Sequence, residues 1–207
     1  MAVEIKDPVS GKYILYRSQA AHSVDCGLHP FELLPTRIFL DTSIINTLVK
    51  YAALIFENEP GDSDMDVTLA EDVECLSHVF AAGSHAPWEL VSSHAMLDEL
   101  SQTRSVAVRE ALLDYGINFV DACHPNEAWV REDFSRRLLG SQLLEALPDE
   151  MDRRLLAHSI VMDCDTFCTR DRTTIISRRH LLPRMPVRIL TPREWWGHLK
   201  PWMGLFC

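Results

Sequence analysis

The stretch that decides the fold is Arg37-Ile38-Phe39-Leu40-Asp41-Thr42-Ser43-Ile44-Ile45. A short apolar run ends in an acid and is followed by Thr and Ser, which favour the start of a helix. Apolar residues then recur with helical spacing as far as Val49. The stretch therefore predicts a buried strand that leads directly into an amphipathic helix, and we expect this helix to end near Phe56.

The rest of the chain alternates strand-like and helix-like segments. Further strands are predicted at 88–92, 117–120, 166–169 and 187–190, because these runs are short, apolar and rich in β-branched or aromatic residues. Helices are predicted at 67–82, from Ser93, at 106–113, at 129–147 with a break near Gly140, at 149–162, and from Pro192. Strands that alternate with helices predict an α/β fold with a central parallel sheet.

The chain is expected to form one main domain, residues 37–207, with residues 1–36 as an N-terminal extension packed on it. Residues 57–66 contain five acids and a Pro-Gly pair, which predicts an exposed acidic loop. No apolar run approaches the ~18 residues of a membrane span, and residues 1–10 lack the apolar core of a secretory signal. We therefore expect a cytoplasmic protein without a membrane association.

The charge is unevenly distributed along the chain. The formal net charge of −10 excludes a protein that is attracted to nucleic acid over its whole surface. Residues 1–100 carry a net charge of −11, whereas residues 101–207 carry +1 and include nine arginines between Arg153 and Arg193. A local basic surface near the carboxyl end is one interpretation, and a solvated or ion-paired face is the other.

Four acids are expected at one edge of the sheet, because ligands of open parallel sheets collect at the carboxyl ends of the strands. Asp41 ends the first strand and Asp171 follows the strand 166–169, while Glu99 and Asp152 lie near helix starts at the same edge. Converging carboxylates repel one another, and a divalent cation removes that cost. Oxygen ligands suit Mg²⁺ or Mn²⁺, which can activate a water to hydrolyse a phosphodiester.

The order of these segments resembles the PIN-domain family. Phe39-Leu40-Asp41-Thr42-Ser43-Ile44-Ile45 resembles its first motif, and Ser93-His94-Ala95-Met96-Leu97-Asp98-Glu99-Leu100 resembles its second. Asp152 and, nineteen residues later, Asp171 at the end of Thr169-Arg170-Asp171 resemble the third and fourth motifs. Residues 189–194 resemble the closing strand and helix.

The resemblance implies a three-layer α/β/α sandwich and metal-dependent cleavage of RNA. The implied catalytic and metal-binding residues are Asp41, Glu99, Asp152 and Asp171, supported by Thr42, Ser43 and Thr169. The residues expected to contact phosphates are Arg170, Arg172, Arg178 and Arg179. Free-standing members of the family are often toxins that a protein partner silences, so an inhibitory partner is expected. A homo-oligomer is a further alternative.

Each acid also has a structural interpretation. Asp41 fits a helix cap, and Asp171 fits the start of a turn. Asp98 competes with Glu99, since adjacent helical residues point about 100° apart and only one can face the site. Asp149 competes with Asp152, because Asp149 can cap the following helix.

Several other residues are interpreted as structural rather than catalytic. Asp163-Cys164-Asp165 is interpreted as a solvated turn, and His158 as a hydrogen-bonded or partly exposed histidine. The six cysteines are interpreted as small buried thiols, and Trp195, Trp196 and Trp202 as core residues.

Three other functions are alternatives to an RNA nuclease. A DNA nuclease acting on flaps or single strands has the same chemistry, and an inactive module could bind RNA or serve as a scaffold. A haloacid-dehalogenase-like phosphatase also places an Asp after its first strand, but it needs a second Asp two residues later. Ser43 occupies that position and argues against it.

Overall fold

The secondary structure comes from a computed structural model that describes residues 5–6, 9, 13–57, 59, 65–83, 86, 88–123, 132–182 and 184–205. Its strands are β1 (Ile5–Lys6), β2 (Tyr13–Ile14), β3 (Arg37–Leu40), β4 (Glu89–Val91), β5 (Thr166–Cys168) and β6 (Arg188–Leu190). Its α-helices are α1 (Gln19–Leu28), α2 (Thr42–Lys50), α3 (Ala52–Phe56), α4 (Val67–Gly83), α5 (His94–Leu100), α6 (Val106–Cys123), α7 (Glu132–Leu139), α8 (Glu150–Val161) and α9 (Pro192–Leu199). Short 3₁₀ helices cover Phe31–Leu33, Ile176–Leu181 and Lys200–Leu205.

Four parallel strands form the main sheet, in the order β4-β3-β5-β6. Their sequences are short apolar runs that can be buried on both faces, as is typical of parallel sheets. β3 is central: Phe39 pairs with Val91 of β4 on one side and with Phe167 of β5 on the other. The rings of Phe39 and Phe167 stack with their centroids 5.4 Å apart. The α/β class and the parallel sheet predicted from the sequence are confirmed.

The chain forms two compact units. The sheet unit comprises residues 36–50 and 88–191, and thus contains β3 to β6, α2 and α5 to α8. The helical unit comprises residues 1–35, 51–87 and 192–207, and contains α1, α3, α4, α9 and the antiparallel pair β1–β2. Residues 1–35, which were expected to form an extension on a domain 37–207, therefore share a unit with residues 51–87 and 192–207.

Residues 117–120, which we predicted to form a strand, lie within α6. Gly116 and Val120 are buried one helical turn apart, so α6 packs through a helical face. A Cβ at Gly116 would come within 2.9 Å of Leu97 and 3.0 Å of Leu100, so the glycine allows α6 to approach α5 closely. Packing of this face overrides the strand preference of the local sequence.

Two other helices differ from the expectation. The helix predicted to reach Phe56 is divided at Tyr51, whose ψ of 30° departs from helical geometry. The helix α1 was not among the helices predicted from the sequence, and it begins after Ser18, whose hydroxyl accepts a hydrogen bond from the Ala21 amide at 3.2 Å. The acidic loop 57–66 and the first part of the helix predicted at 129–147 lie largely outside the described residues.

The core of the helical unit is formed where α9 packs on α4. Trp195 and Trp196 are buried there, and the Trp196 ring stacks on His78 at a centroid distance of 4.8 Å. These two tryptophans are therefore core residues and cannot stack on bases. None of the helices in the described ranges is both long and apolar enough to cross a membrane. The five cysteines that the structure describes are free thiols.

Candidate active site

The candidate residues lie at the carboxyl edge of the sheet, where the path of the chain changes direction. β3 is followed by β4 on one side, whereas β5 lies on its other side and is followed by β6. Connections leave such a switch point in opposite directions, and ligands of open α/β sheets bind there. Asp41 follows β3, and its amide donates to the Cys168 carbonyl at the end of β5 at 3.0 Å. Asp41 and the segment 169–171 therefore lie side by side at the switch point.

Asp41 is 4% exposed, and its carboxylate accepts several hydrogen bonds. The hydroxyls of Ser43 and Thr169 both donate to its Oδ2, each at 2.6 Å. The amides of Thr42 and Ser43, at the start of α2, bond to the same carboxylate. Burial outweighs these donors and raises the pKa of Asp41. The carboxylate thus caps α2. Its surroundings nevertheless stabilise the ionised form less well than water does.

Backbone amides orient the two hydroxyls that hold Asp41. The Arg170 amide donates to Ser43 Oγ and the Asp171 amide donates to Thr169 Oγ1, both at 2.9 Å. Since each amide occupies a lone pair of the hydroxyl it meets, the hydroxyl hydrogens are left to point at Asp41. Ser43 and Thr169, two of the three supporting residues that the resemblance implies, therefore both hold the Asp41 carboxylate.

The third supporting residue, Thr42, contacts Glu99 instead. Its Oγ1 donates to Glu99 Oε2 at 2.5 Å. Burial raises the pKa of Glu99 against the effect of this bond, and the negative charges of Asp41, Asp149 and Asp171 raise it further. Glu99, on α5, therefore lies within the electrostatic reach of acids from three other segments.

Asp98, the neighbour and competitor of Glu99, points away from these acids. Its exposed carboxylate accepts from Arg154 Nη1 at 2.8 Å. Adjacent residues of a helix differ in direction by about 100°, which accounts for the separation. Of the two candidates, the structure brings Glu99 and not Asp98 to Thr42.

Asp149 and Asp152, at the start of α8, have different partners. Asp149 Oδ1 accepts from the amides of Met151 and Asp152 at 2.8 and 3.1 Å, so Asp149 is the N-cap of the helix. The side chain of Asp152 instead accepts from Thr174 Oγ1 at 2.8 Å, and not from the Asp149 amide. The structure therefore assigns the cap to Asp149 and leaves Asp152 directed at the turn that follows β5.

Asp152 and Asp171 have pKa values that are pushed apart. Burial raises the pKa of Asp152 to about 7 against the Thr174 bond, and the charges of Asp41, Asp149 and Asp171 act in the same direction as burial. Burial also acts to raise the pKa of Asp171, but hydrogen bonds from Thr174 and Thr173 outweigh it and lower that pKa. Two acids that share one hydroxyl partner thus differ in their preferred protonation.

Thr174 connects these two acids, and it was not among the site residues predicted from the sequence. Asp171 Oδ1 accepts from the Thr173 amide, the Thr173 hydroxyl and the Thr174 amide, each at 2.8 Å, which closes the turn 172–175. The Thr174 hydroxyl then contacts Oδ2 of both Asp171 and Asp152. One hydroxyl carries one hydrogen, so it donates fully to only one of the two carboxylates, and the other oxygen is left for a water, a proton or a cation. The signal that could have found Thr174 is the Asp-x-Thr-Thr sequence, which is typical of a side-chain-capped turn.

The four arginines expected to contact phosphates differ in exposure. Arg170 is half-buried and donates from Nη1 to Thr47 Oγ1 at 3.0 Å. Arg179 is half-buried and donates to a carbonyl of β6 at 3.1 Å. Arg178 donates to a carbonyl between α7 and α8 at 3.3 Å, but its side chain is exposed, as is that of Arg172. The exposed pair is accessible to a ligand from solvent, whereas Arg170 is anchored on α2 beside the site.

His158 and the Asp163-Cys164-Asp165 sequence have structural roles. His158 is buried with Nδ1 2.9 Å from Ser93 Oγ, and burial lowers its pKa to about 4, so the ring is neutral at neutral pH. Asp163 is an exposed turn residue, as expected. Asp165, however, is half-buried and accepts hydrogen bonds from Thr36 and from the strand β3, so it is not part of a solvated turn.

The side chains around Asp41 offer the type of donor atom that a hard divalent cation prefers, but they are not arranged as a metal site. No three His, Cys, Asp or Glu side chains within the described ranges form a group that could hold a metal ion. The available donors are nevertheless all oxygens, as Mg²⁺ and Mn²⁺ prefer. The Thr174 hydroxyl lies between Asp152 and Asp171, and its single hydrogen cannot serve both carboxylates fully. A cation would supply the missing positive charge.

Comparison with known proteins gives no relative from which a family could be assigned. No protein-family model matches the chain, and no curated protein and no solved structure matches it.

Proposed function

We propose that the protein is a metal-dependent nuclease with a PIN-like α/β/α architecture, and that RNA is its substrate. The observation that carries the proposal is electrostatic. Asp41, Glu99 and Asp152 come from three separate segments, burial raises the pKa of each, and the charges of Asp41, Asp149 and Asp171 raise the pKa values of Glu99 and Asp152 further. Acids that oppose one another's ionisation at the switch point of a parallel sheet are typical of a functional site.

A divalent cation would offset this repulsion. The residues that would hold it are Asp41, Glu99, Asp152 and Asp171. When bound, Mg²⁺ or Mn²⁺ polarises a phosphodiester and lowers the pKa of a coordinated water, which allows hydrolysis without a protein nucleophile.

The other residues of the site would position these carboxylates and the substrate. Ser43 and Thr169 fix the Asp41 carboxylate through two hydrogen bonds to one oxygen. Thr42 fixes Glu99. The guanidinium groups of Arg170, Arg172, Arg178 and Arg179 would attract the phosphates of the substrate, and this contribution is independent of base sequence.

The proposal is tested by incubating the protein with end-labelled single-stranded RNA and DNA in Mg²⁺, Mn²⁺ or EDTA. The variants are Asp41→Asn and the control Asp98→Asn, which removes a charge from an exposed ion pair. We expect cleavage of RNA with either metal, none in EDTA, a loss of at least about 100-fold in Asp41→Asn, and near-wild-type activity in Asp98→Asn.

Each alternative gives a different result in this assay. Preferential cleavage of DNA would indicate a DNA nuclease with the same site. Binding of RNA without cleavage under all conditions would indicate an inactive RNA-binding module. Cleavage that persists both in EDTA and in Asp41→Asn would exclude a metal nuclease centred on Asp41.

A further inference from the structure

The position of Thr174 deepens the proposed function, on which this inference rests. Thr174 lies in the turn between β5 and the 3₁₀ helix Ile176–Leu181. Its hydroxyl oxygen is 2.8 Å from Asp152 Oδ2 and also contacts Asp171 Oδ2. Asp152 belongs to α8 and Asp171 follows β5, so a single hydroxyl joins carboxylates from two separate elements.

The two carboxylates depend on this hydroxyl to different degrees. Asp171 Oδ1 has three other donors, two of which are backbone amides. In the part of the chain that the structure describes, the Asp152 carboxylate has Thr174 as its only hydrogen-bonding partner. Without that hydroxyl, Asp171 keeps a fixed orientation and Asp152 loses the contact that selects its rotamer.

We propose that Thr174 is a positioning residue that fixes Asp152 against Asp171, so that the two carboxylates bind one divalent cation as a pair. A ligand held in one rotamer before binding loses less conformational freedom when the cation binds. Groups that orient the ligands of a metal typically contribute about 10- to 100-fold to metal affinity. Thr174 acts through Asp152, and it is not assigned a contact with the substrate.

The test is titration of the full chain with Mn²⁺ by isothermal calorimetry, in the absence of any nucleic acid. Thr174→Val removes the hydroxyl and retains the branched shape, and Thr174→Ser restores a hydroxyl. We expect Thr174→Val to weaken Mn²⁺ binding by about 10-fold or more, and Thr174→Ser to recover most of the affinity. Thermal unfolding without metal checks that each variant is folded.

Thr173→Val is the matched control, because it removes a hydroxyl from Asp171 only and leaves two amide donors on the same oxygen. It should weaken binding less than Thr174→Val does. Asp152→Asn completes a double-mutant cycle with Thr174→Val. If Thr174 acts through Asp152, Asp152→Asn should weaken binding by a smaller factor in the Thr174→Val protein than in the wild type.

The outcomes separate this inference from the proposed function. Wild-type binding of Mn²⁺ together with unchanged binding in Thr174→Val would overturn the role of Thr174 alone. Equal factors for Asp152→Asn in both backgrounds would also overturn it, because the two residues would then act independently. A wild-type protein that does not bind Mn²⁺ would overturn both the inference and the metal-dependent function.

Discussion

Two half-buried carboxylates at opposite ends of the parallel sheet, Asp165 and Asp152, differ in the direction of their pKa shifts. At the amino end, Asp165 is half-buried, as is Asp152 at the carboxyl end. Burial acts to raise the pKa of both, yet hydrogen bonds lower the pKa of Asp165, whereas that of Asp152 rises to about 7. Similar degrees of burial therefore lead to opposite shifts.

The difference lies in the number of donors and in the sign of the neighbouring charges. Asp165 Oδ2 accepts from the Thr36 amide, the Thr36 hydroxyl and the Arg37 amide at 2.7, 2.5 and 3.0 Å. Its Oδ1 accepts from Thr166 Oγ1 at 2.7 Å and lies 3.6 Å from Arg188. This carboxylate joins β3, β5 and β6 and is fully compensated within the fold. At the carboxyl end, in contrast, the described residues give Asp152 one donor, Thr174, and the charges of Asp41, Asp149 and Asp171 oppose its ionisation, as is typical of acids in a functional site.

The largest effect should be a loss of catalysis at the carboxyl end in Glu99→Gln. This change keeps an oxygen for the Thr42 bond but removes the charge that a cation requires. Loss of a metal ligand removes several kcal/mol of transition-state stabilisation, so we expect a decrease in kcat/KM of about 1,000-fold on labelled RNA. Asp165→Asn at the other end should alter kcat/KM little in protein that remains folded. Equal losses in the two variants would contradict the division between the ends.

The second effect concerns stability measured by urea unfolding in EDTA. Asp165→Ala leaves the amides of Thr36 and Arg37 and two hydroxyls without their acceptor, and should lower the free energy of unfolding by about 3 kcal/mol. Asp152→Ala removes one hydroxyl contact and relieves the repulsion from Asp41 and Asp171. It should therefore leave stability within about 1 kcal/mol of the wild type, or raise it. A loss in Asp152→Ala as large as that in Asp165→Ala would show that both ends serve the fold equally.

The third effect concerns the pH windows in which buried His158 and half-buried Asp165 lose their contributions to stability. The pKa of buried His158 is lowered from 6.5 to about 4. Between these values the unfolded chain takes up a proton that the folded ring does not, so the contribution of His158 is lost as the pH falls from about 6.5 towards 4, by up to about 3 kcal/mol. The stabilising contribution of Asp165, whose pKa is lowered, is present above about pH 4 and is lost as the pH falls through its folded value.

Unfolding free energies measured from pH 7 to pH 3 should separate these two windows. Because the raised pKa of Asp152 gives an opposing dependence in the same window, each variant is compared with the wild type at every pH. The difference in unfolding free energy between the wild type and His158→Gln should shrink as the pH falls from about 6.5 to 4, and that between the wild type and Asp165→Asn should shrink below about pH 4. If the unfolding free energy of His158→Gln depends on pH above pH 4 in the same way as that of the wild type, His158 does not contribute to the dependence.

The sequence predicted the elements whose signals are local and agree with one another. The strand β3, the start of α2 and the strands β4, β5 and β6 follow from short apolar runs with clear boundaries. The separation of Glu99 from Asp98 was a matter of helical geometry, and it required no knowledge of tertiary contacts. The order of the acids along these elements then located the candidate site at one sheet edge.

The remaining features depend on contacts between distant segments, which local patterns do not encode. Residues 117–120 form a helix because Gly116 allows α6 to pack closely on α5. The contact of Thr174 with Asp152 spans 22 residues and two elements, so a hydroxyl that looks like an ordinary turn residue acquires its partner only in the folded chain. The same holds for Asp165, whose acceptor role depends on Thr36, 129 residues earlier.

The central position of β3 has a consequence for the newly made protein. Asp41 emerges from the ribosome 128 residues before Thr169, which holds its carboxylate. Until β5 is made, the middle strand of the sheet lacks one neighbour, and a pairing between such distant segments forms slowly. The carboxylates of Asp41 and Asp171 can therefore come together only after β5 has been made, so a nascent chain that still lacks this strand does not carry the acidic site.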